Sequence, residues 1–435
     1  MRVLFVSPDV VGERMAGPGI RAWELAHALA ARHDVTLAAP GLDRASETVE
    51  LIRSGQQPWA PLLVRHDVVI TQFLTVPLLT ALLRVRTARL VIDAYVPMTL
   101  ESLEMNRSAP PAQRRERAKT LVGAETLALR AADAVLCASE QQRDLWLGAL
   151  LALGRLTPEV YARSSDLRDL IDVVPFGLPD SPPERLTVGP RELFGLPPEA
   201  VVTLWGGGVW DWFDPLTVIE AVARVREHEP RLHLVFMGLQ HPDRAATRTP
   251  MGERAVALLE RTGLAGTGAH VREGWLPYAE RGSWLLDADV TVSANLAIAE
   301  NRFAFRTRVL DSLWAGRPAV LSVGDPLGEA GARAGWAALV DVGDVTGWAQ
   351  ALARLANPDV RAPMGRAAVT AAEAYRWGAV GQRLERLLLA LEDRAPSLTS
   401  LGTARAAAGF LAHGSRSVLL DTGARGALRR LRGGA

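Results

Sequence analysis

Two arginines and a carboxylate, Arg306, Arg308 and Asp311, stand close together at the entry of an amphipathic segment. The apolar positions Phe305, Val309, Leu310 and Leu313 follow a helical spacing. Gly316 and Pro318 then stop the helix. The run Ala319-Val-Leu-Ser-Val323 reads as a buried strand, with Gly324-Asp325 as the turn at its carboxyl end. Cations and acids beside a helix N-terminus suit a ligand that carries phosphates and hydroxyls. Arg308 and Asp311 are three positions apart and project from one helix face. The competing reading is a solvated surface pair, which covers the upstream Glu300 equally well. Against it stands their place on a helix whose other face is strongly apolar.

Two glycine-rich turns are further ligand candidates. Gly17-Pro-Gly19-Ile-Arg21 follows the first apolar run and precedes a helical pattern, so its backbone N–H groups are able to approach an anion. The expected third glycine of a dinucleotide fingerprint falls on Ala22, and a plain Gly-Pro turn is as good a reading. Gly206-Gly207-Gly208 follows the strand-like Val201–Trp205 and permits close backbone approach to a ligand. Asp214-Pro215 then opens a helix, Asp as the cap and Pro in its first turn. Asp93 and Tyr95 follow the apolar run Leu90-Val-Ile92 and present a carboxylate and a phenol, unless they only cap a loop. Asp287-Ala-Asp289 matches a metal-binding pattern weakly and reads better as a capping turn. The eight histidines are scattered, with no helical His pair around a Glu, so no metal site is expected.

These groups need a scaffold. Short apolar runs alternate with amphipathic helical segments, first from Val3 to Val174 and again from Val201 to Val323. Alternation of this kind implies parallel sheets flanked by helices, with ligands beyond the carboxyl ends of the strands. The Pro/Gly-dense stretch Pro175–Pro183 reads as the linker between two similar units, and a cleft is expected between them. A chain of 435 residues is long enough for two domains. With 49% hydrophobic and 22% charged residues it is globular. A formal net charge of +1 gives no electrostatic case for nucleic acid. Lys119 is the sole lysine, so any permanent cation for phosphate in the carboxyl half is an arginine. The sole cysteine, Cys137, lies in an apolar run and reads as a core residue in a reducing, cytoplasmic compartment. The apolar start reads as a first strand and not a signal peptide, and no run reaches the length of a membrane span. Residues 396–435, rich in Ala, Gly and Arg, read as a tail; solvation is its default state, and peripheral contact with an anionic membrane the alternative.

Taken in order, several stretches resemble the retaining glycosyltransferases of the two-domain GT-B fold, family 4. They are Gly17-Pro-Gly19-Ile-Arg21, Val173-Val-Pro-Phe-Gly177, Gly206-Gly-Gly208 before Asp214-Pro215, Gly274-Trp-Leu-Pro-Tyr278, Ala288–Ser293, and the segment from Phe303 to Pro318. The resemblance covers roughly residues 1–392. It implies an α/β fold with two Rossmann-like parallel-sheet domains facing a cleft. Residues 1–178 would form the acceptor domain, 179–374 the nucleotide-sugar donor domain, 375–395 a closing helix, and 396–435 the tail.

The resemblance also implies roles. Asp311 would hold the donor's ribose hydroxyls, Arg308 its diphosphate with Arg306 and Thr307 beside it, and Gly207 and Gly208 would approach the phosphates. Trp275 and Leu276 would line the base pocket. Gly19, Arg21, Asp93 and Tyr95 would meet the acceptor and the transferring sugar. The implied activity is transfer of a sugar from a nucleotide-diphosphate sugar to an acceptor hydroxyl with retention, in polysaccharide or secondary-metabolite biosynthesis. The acceptor would be a glycan, a lipid-linked molecule or a small molecule, and neither metal nor cofactor is expected. Two features depart from the family pattern. Family members carry two glutamates separated by seven residues; here Asp311 occupies the second position and Phe303 the first, with Glu300 as the substitute. The lysine common after the glycine turn is absent, and Trp210, Asp211 and Trp212 stand there. A nucleotide-sugar epimerase or hydrolase on this fold, or a non-catalytic nucleotide-sugar-binding partner of another transferase, are the rival readings.

Overall fold

The computed structural model describes residues 1–396 apart from 14, 86, 108, 240–248 and 275. The tail assigned to 396–435 therefore lies almost wholly outside the described residues, as does Trp275. Two compact units emerge. Among the described residues, one contains Met1–Val10, Ala22–Pro175 and those from Gly381 to Pro396; the other contains Val11–Arg21 and Phe176–Val380.

The first unit is built on a seven-stranded parallel sheet. Its strands are β1 (Arg2–Val6), β2 (Asp34–Ala39), β3 (Glu50–Arg53), β4 (Val68–Thr71), β5 (Arg89–Asp93), β6 (Ala134–Cys137) and β7 (Ile171–Val173), in the order β3-β2-β1-β4-β5-β6-β7. Central strands are apolar on both faces because helices cover both: Val68, Val69, Leu90, Val91, Val135 and Leu136 are fully buried. Each such side chain contributes about 1.5–3 kcal/mol through burial. Cys137 sits in this core without exposure.

The second unit repeats the plan with six parallel strands: β8 (Val201–Trp205), β9 (Leu232–Phe236), β10 (Ala269–Val271), β11 (Val290–Ser293), β12 (Ala319–Ser322) and β13 (Ala337–Val340). Their order, β10-β9-β8-β11-β12-β13, reverses direction between β8 and β11. Loops leaving those two strands therefore diverge and open a crevice at the sheet's carboxyl edge. The helix Pro215–Arg226 buries Val218, Ile219, Ala221, Val222 and Val225 in the core of this unit. Asp214 caps it, accepting from the Thr217 N–H at 3.2 Å.

Three strands differ from the sequence reading. Strands β3 and β13, absent from that reading, are sheet edges: β3 has an exposed charged residue at each end, and β13, although wholly apolar (Ala337-Ala-Leu-Val340), is only half-buried at Ala338 and Leu339. Strand β10, for which the sequence suggests His270–Glu273, runs Ala269–Val271 and ends ahead of a left-handed turn at Gly274 (φ +76°). The Pro/Gly stretch begins where the two units divide, at Pro175, and it is held by hydrogen bonds. Leu178 donates to the Tyr375 carbonyl at 2.7 Å and accepts from the Trp377 N–H at 2.8 Å, and Arg376 donates to the Pro179 carbonyl at 2.6 Å.

No helix among the described residues is long and apolar enough to cross a membrane.

Candidate functional site

A cavity of about 200 Å³ opens at the carboxyl ends of the second unit's strands. Gly207, Gly208 and Trp210 line it from the loop after β8, and Met237 and Gly238 from the loop after β9. Leu276, Tyr278 and Arg281 come from beyond β10; Thr307, Arg308 and Asp311 come from the helix Thr307–Trp314 beyond β11. Met15, Ala16, Gly17 and Ile20, with Phe176, Gly177 and Leu178, all of the same unit, complete the wall. Gly207 has φ +72°, a left-handed backbone that a glycine adopts freely, and this turns the loop beside Arg308.

The helix Thr307–Trp314 is short but sharply amphipathic. Val309, Leu310, Leu313 and Trp314 are buried, while Thr307, Arg308 and Asp311 face the cavity. No side chain caps its N-terminus: the preceding residue, Arg306, makes no capping bond. The first-turn N–H groups and the positive end of the helix dipole thus lie beside the cavity without a competing side-chain acceptor.

Arg308 is the least satisfied cation of the site. One terminal nitrogen donates to the Gly208 carbonyl at 2.7 Å. The other, Nη1, is buried and has no hydrogen-bond partner among the described residues. Its guanidinium lies 4.0 Å from the centroid of the Phe213 ring. Loss of bulk solvent pulls its pKa down to about 9, with repulsion from Arg306 adding and attraction to Asp311 opposing. The group still holds its proton at neutral pH, so the protein maintains a poorly solvated charge that an anion would stabilise.

Asp311 is partly neutralised already. It accepts from Arg281 Nε at 3.3 Å. Burial raises its pKa, opposed first by Arg281 and then by Arg308. Arg281 is itself fixed, 3.6 Å above the Tyr278 ring centroid and 4.4 Å from that of Trp314, and it donates to the Tyr278 carbonyl at 2.7 Å. Sequence reasoning gave no role to Arg281 or Tyr278. Tyr278 closes one of the stretches that carry the resemblance, but nothing in the sequence around Arg281 distinguishes it from a solvated turn.

Of the sequence candidates, the cavity therefore unites Arg308, Asp311, Thr307, Gly207, Gly208 and Leu276. Arg306 does not line it. It stands before the helix, buried, and forms a close ion pair with the buried Glu300. Around this pair, Glu300 Oε1, Asn301 Oδ1, Arg306 Nε and Asp325 Oδ2 are buried without hydrogen-bond partners among the described residues. Asp325 also caps the helix Pro326–Ala334, its Oδ1 accepting from Leu327 at 2.8 Å and Gly328 at 3.1 Å. Gly19 and Arg21 lie in the first turns of the helix Gly17–Ala30; Arg21 is fully buried, and neither lines the cavity, whereas Gly17 and Ile20 do. Asp93 and Tyr95 belong to the first unit, both buried at the carboxyl end of β5. Asp287 and Asp289 are structural: Asp289 Oδ2 accepts from the Val202 N–H at 2.8 Å and from Arg191 at 2.6 Å, and Asp287 pairs with Arg185. No group of three or more His, Cys, Asp and Glu is placed to hold a metal among the described residues.

No protein-family model matches the sequence, and comparison with curated proteins gives no match. Solved structures do match. Sucrose-phosphate synthase from Thermosynechococcus elongatus superposes with a TM-score of 0.61 at 18% identity, over 90% of this chain and 98% of that one. Anabaena HepE in complex with UDP-glucose gives 0.58 at 16% identity, over 90% and 100%. A UDP-N-acetylglucosamine 2-epimerase from Listeria monocytogenes, so described provisionally, gives 0.53 at 14% identity, over 91% and 98%. With its two parallel-sheet α/β units matched along nearly the whole length of such glycosyltransferases, the chain has the GT-B fold.

Proposed function

We propose that the chain is a retaining glycosyltransferase that takes its sugar from a nucleoside-diphosphate sugar without help from a metal ion. The observation that carries this reading is Arg308: a desolvated guanidinium with a free donor, beside an uncapped helix N-terminus and a glycine turn, at the carboxyl edge of a parallel sheet. A diphosphate satisfies all three features at once. The UDP-glucose bound by HepE, a protein of the same fold, supports the choice.

In this reading Arg308, the Thr307 turn, Gly207 and Gly208 hold the diphosphate. Asp311, oriented by Arg281, accepts from ribose hydroxyls, and Leu276 flanks the base. The unpartnered atoms of Glu300, Asn301 and Asp325 would bond the hydroxyls of the sugar, which gives Glu300 the work of the missing first glutamate. Arg306, neutralised by Glu300, positions that carboxylate and does not compete with Arg308 for phosphate. In the first unit, Asp93 and Tyr95 serve the acceptor side.

The reaction breaks the bond from the anomeric carbon to the phosphate oxygen and forms one to the acceptor oxygen on the same face. The acceptor's proton passes to the departing phosphate oxygen, so no protein nucleophile is required. Negative charge grows on the diphosphate as the bond breaks. A fixed cation and oriented N–H groups stabilise that charge without reorganising.

A panel of nucleotide sugars incubated with the purified chain tests the reading. Saturable binding of at least one, with release of its nucleoside diphosphate and an axial-to-axial or equatorial-to-equatorial product by NMR, is the expected outcome. Absence of binding across the panel sinks it. The epimerase of like fold motivates the second reading; a donor whose sugar is isomerised without any acceptor product would establish that one instead.

A further inference from the structure

The first unit holds a second cavity, of about 240 Å³, beyond the carboxyl ends of β4 and β5. Its lining is apolar apart from Gln72, Asp93, Thr120 and Glu125. One wall is a stripe of the helix Pro111–Ala131, in which Ala124 and Ala128 are four positions apart and so share a face. Their small side chains leave the space that a leucine or phenylalanine would fill. Trp146 closes another wall and is fixed there, its indole N–H donating to the Ala94 carbonyl at 2.8 Å. Glu125 is not available as a free acceptor: the Thr99 N–H donates to it at 3.1 Å, and so does the Thr99 hydroxyl. Burial moreover holds its pKa above the usual carboxylate range, with the Thr99 bonds opposing.

A sugar carries a hydroxyl on nearly every carbon, and most of them would find no partner against Leu121, Ala124, Ala128 and Trp146. A hydrophobic ring or chain with a single hydroxyl fits this lining, with the polar end toward Asp93 at the tip of β5. The helices that contribute Met98 and Ala124 to the wall also carry Leu103, Met105 and Val122 exposed to solvent, apolar surface that a longer ligand would cover.

We propose that this cavity binds the apolar body of a hydroxyl-bearing hydrophobic molecule, a phenol or an aliphatic alcohol. On the transferase reading given above, that molecule is the sugar acceptor.

Calorimetry on the full chain tests both layers, with 2-naphthol, 1-decanol and maltose as probes and UDP titrated in parallel. At least one of the two alcohols should bind, and maltose should not. The alcohol with the lower Kd tells an aromatic from an aliphatic ligand. Ala124→Phe should weaken that alcohol at least tenfold and leave UDP affinity unchanged. Should Ala124→Phe fail to fold, Trp146→Phe serves: it should abolish the alcohol-induced change in tryptophan emission. Failure of both alcohols to bind overturns the proposal, as does binding indifferent to both substitutions, or maltose binding that Ala124→Phe removes. Alcohol binding sensitive to Ala124→Phe in a chain that ignores every nucleotide would leave the cavity standing and remove the transferase reading. UDP binding with no alcohol binding would do the reverse.

Discussion

Replacing Arg308 with alanine should separate function from stability. The guanidinium donates to the Gly208 carbonyl, sits over Phe213, and keeps a buried, unpartnered Nη1, on a residue that lines the cavity. For the leaving diphosphate it is one preorganised electrostatic donor. Losing one such donor lowers kcat by about 10²–10³, or about 2.7–4 kcal/mol. For the empty protein the balance is different. The depressed pKa means that its surroundings disfavour the charge. Truncation removes a hydrogen bond and the packing over Phe213, but it also relieves a desolvated cation, and the two effects oppose each other. We expect the melting temperature of the unliganded variant to stay within about 2 °C of the parent or to rise. Ligand at about 100 times its Kd stabilises the parent by about 2.7 kcal/mol. For a unit of this size that is roughly 5–10 °C, and the variant should lose most of it. The assays are steady-state release of nucleoside diphosphate from the accepted donor, and thermal melts with and without UDP. Arg308→Lys should recover only part of the rate, because a lysine cannot supply two parallel donors. A kcat within roughly threefold of the parent, or an undiminished thermal shift on UDP, would refute the reasoning and remove Arg308 from the donor site.

Asp311→Ala should weaken UDP binding by about 1.5–3 kcal/mol if the carboxylate accepts bonds from ribose hydroxyls; calorimetry showing unchanged affinity would remove Asp311 from the donor site. Activity should survive EDTA, and its loss on chelation with recovery in Mn²⁺ would contradict a diphosphate held by arginine and helix N–H groups alone. The buried pair His233 and His270, with ring nitrogens 3.2 Å apart, has both pKa values lowered, first by burial and then by Arg226; that of His233 falls to about 4. The unfolded chain therefore takes up protons below about pH 6.5 that the folded chain refuses, so stability should fall between about pH 6.5 and 4. His233→Phe should flatten that part of the melting-temperature profile, and a parent profile flat across the window would contradict the assignment.

Much of the scaffold was legible because it rests on local pattern. Doubly covered central strands such as Val68–Thr71 and Ala134–Cys137 announce themselves as largely apolar runs, and the alternation with helices points to a parallel sheet. Asp214-Pro215 marks a helix start by its own chemistry. Edge strand β3 was invisible for the complementary reason, because exposed Glu50 and Arg53 leave only Leu51 and Ile52 apolar, whereas the missed β13 is an apolar run in its own right. In the site, the three-residue spacing of Arg308 and Asp311 put both on one face of a helix without further information.

What the chain order does not encode is which charges meet. Arg306 and Arg308 are near-identical in sequence context, yet one is neutralised by Glu300 and the other faces the cavity. The difference is only whether the backbone has entered the helix. Arg281, thirty residues before Asp311, becomes its partner because the turn beyond β10 and the helix beyond β11 converge at the same sheet edge. The apolar cavity under Asp93 likewise depends on where a helix stripe with alanines at 124 and 128 comes to rest. Periodicity and turn chemistry act over a few residues and are written in the sequence. Desolvation, orphaned donors and cavity shape are sums over neighbours from distant segments, and only the packed tertiary structure sets them.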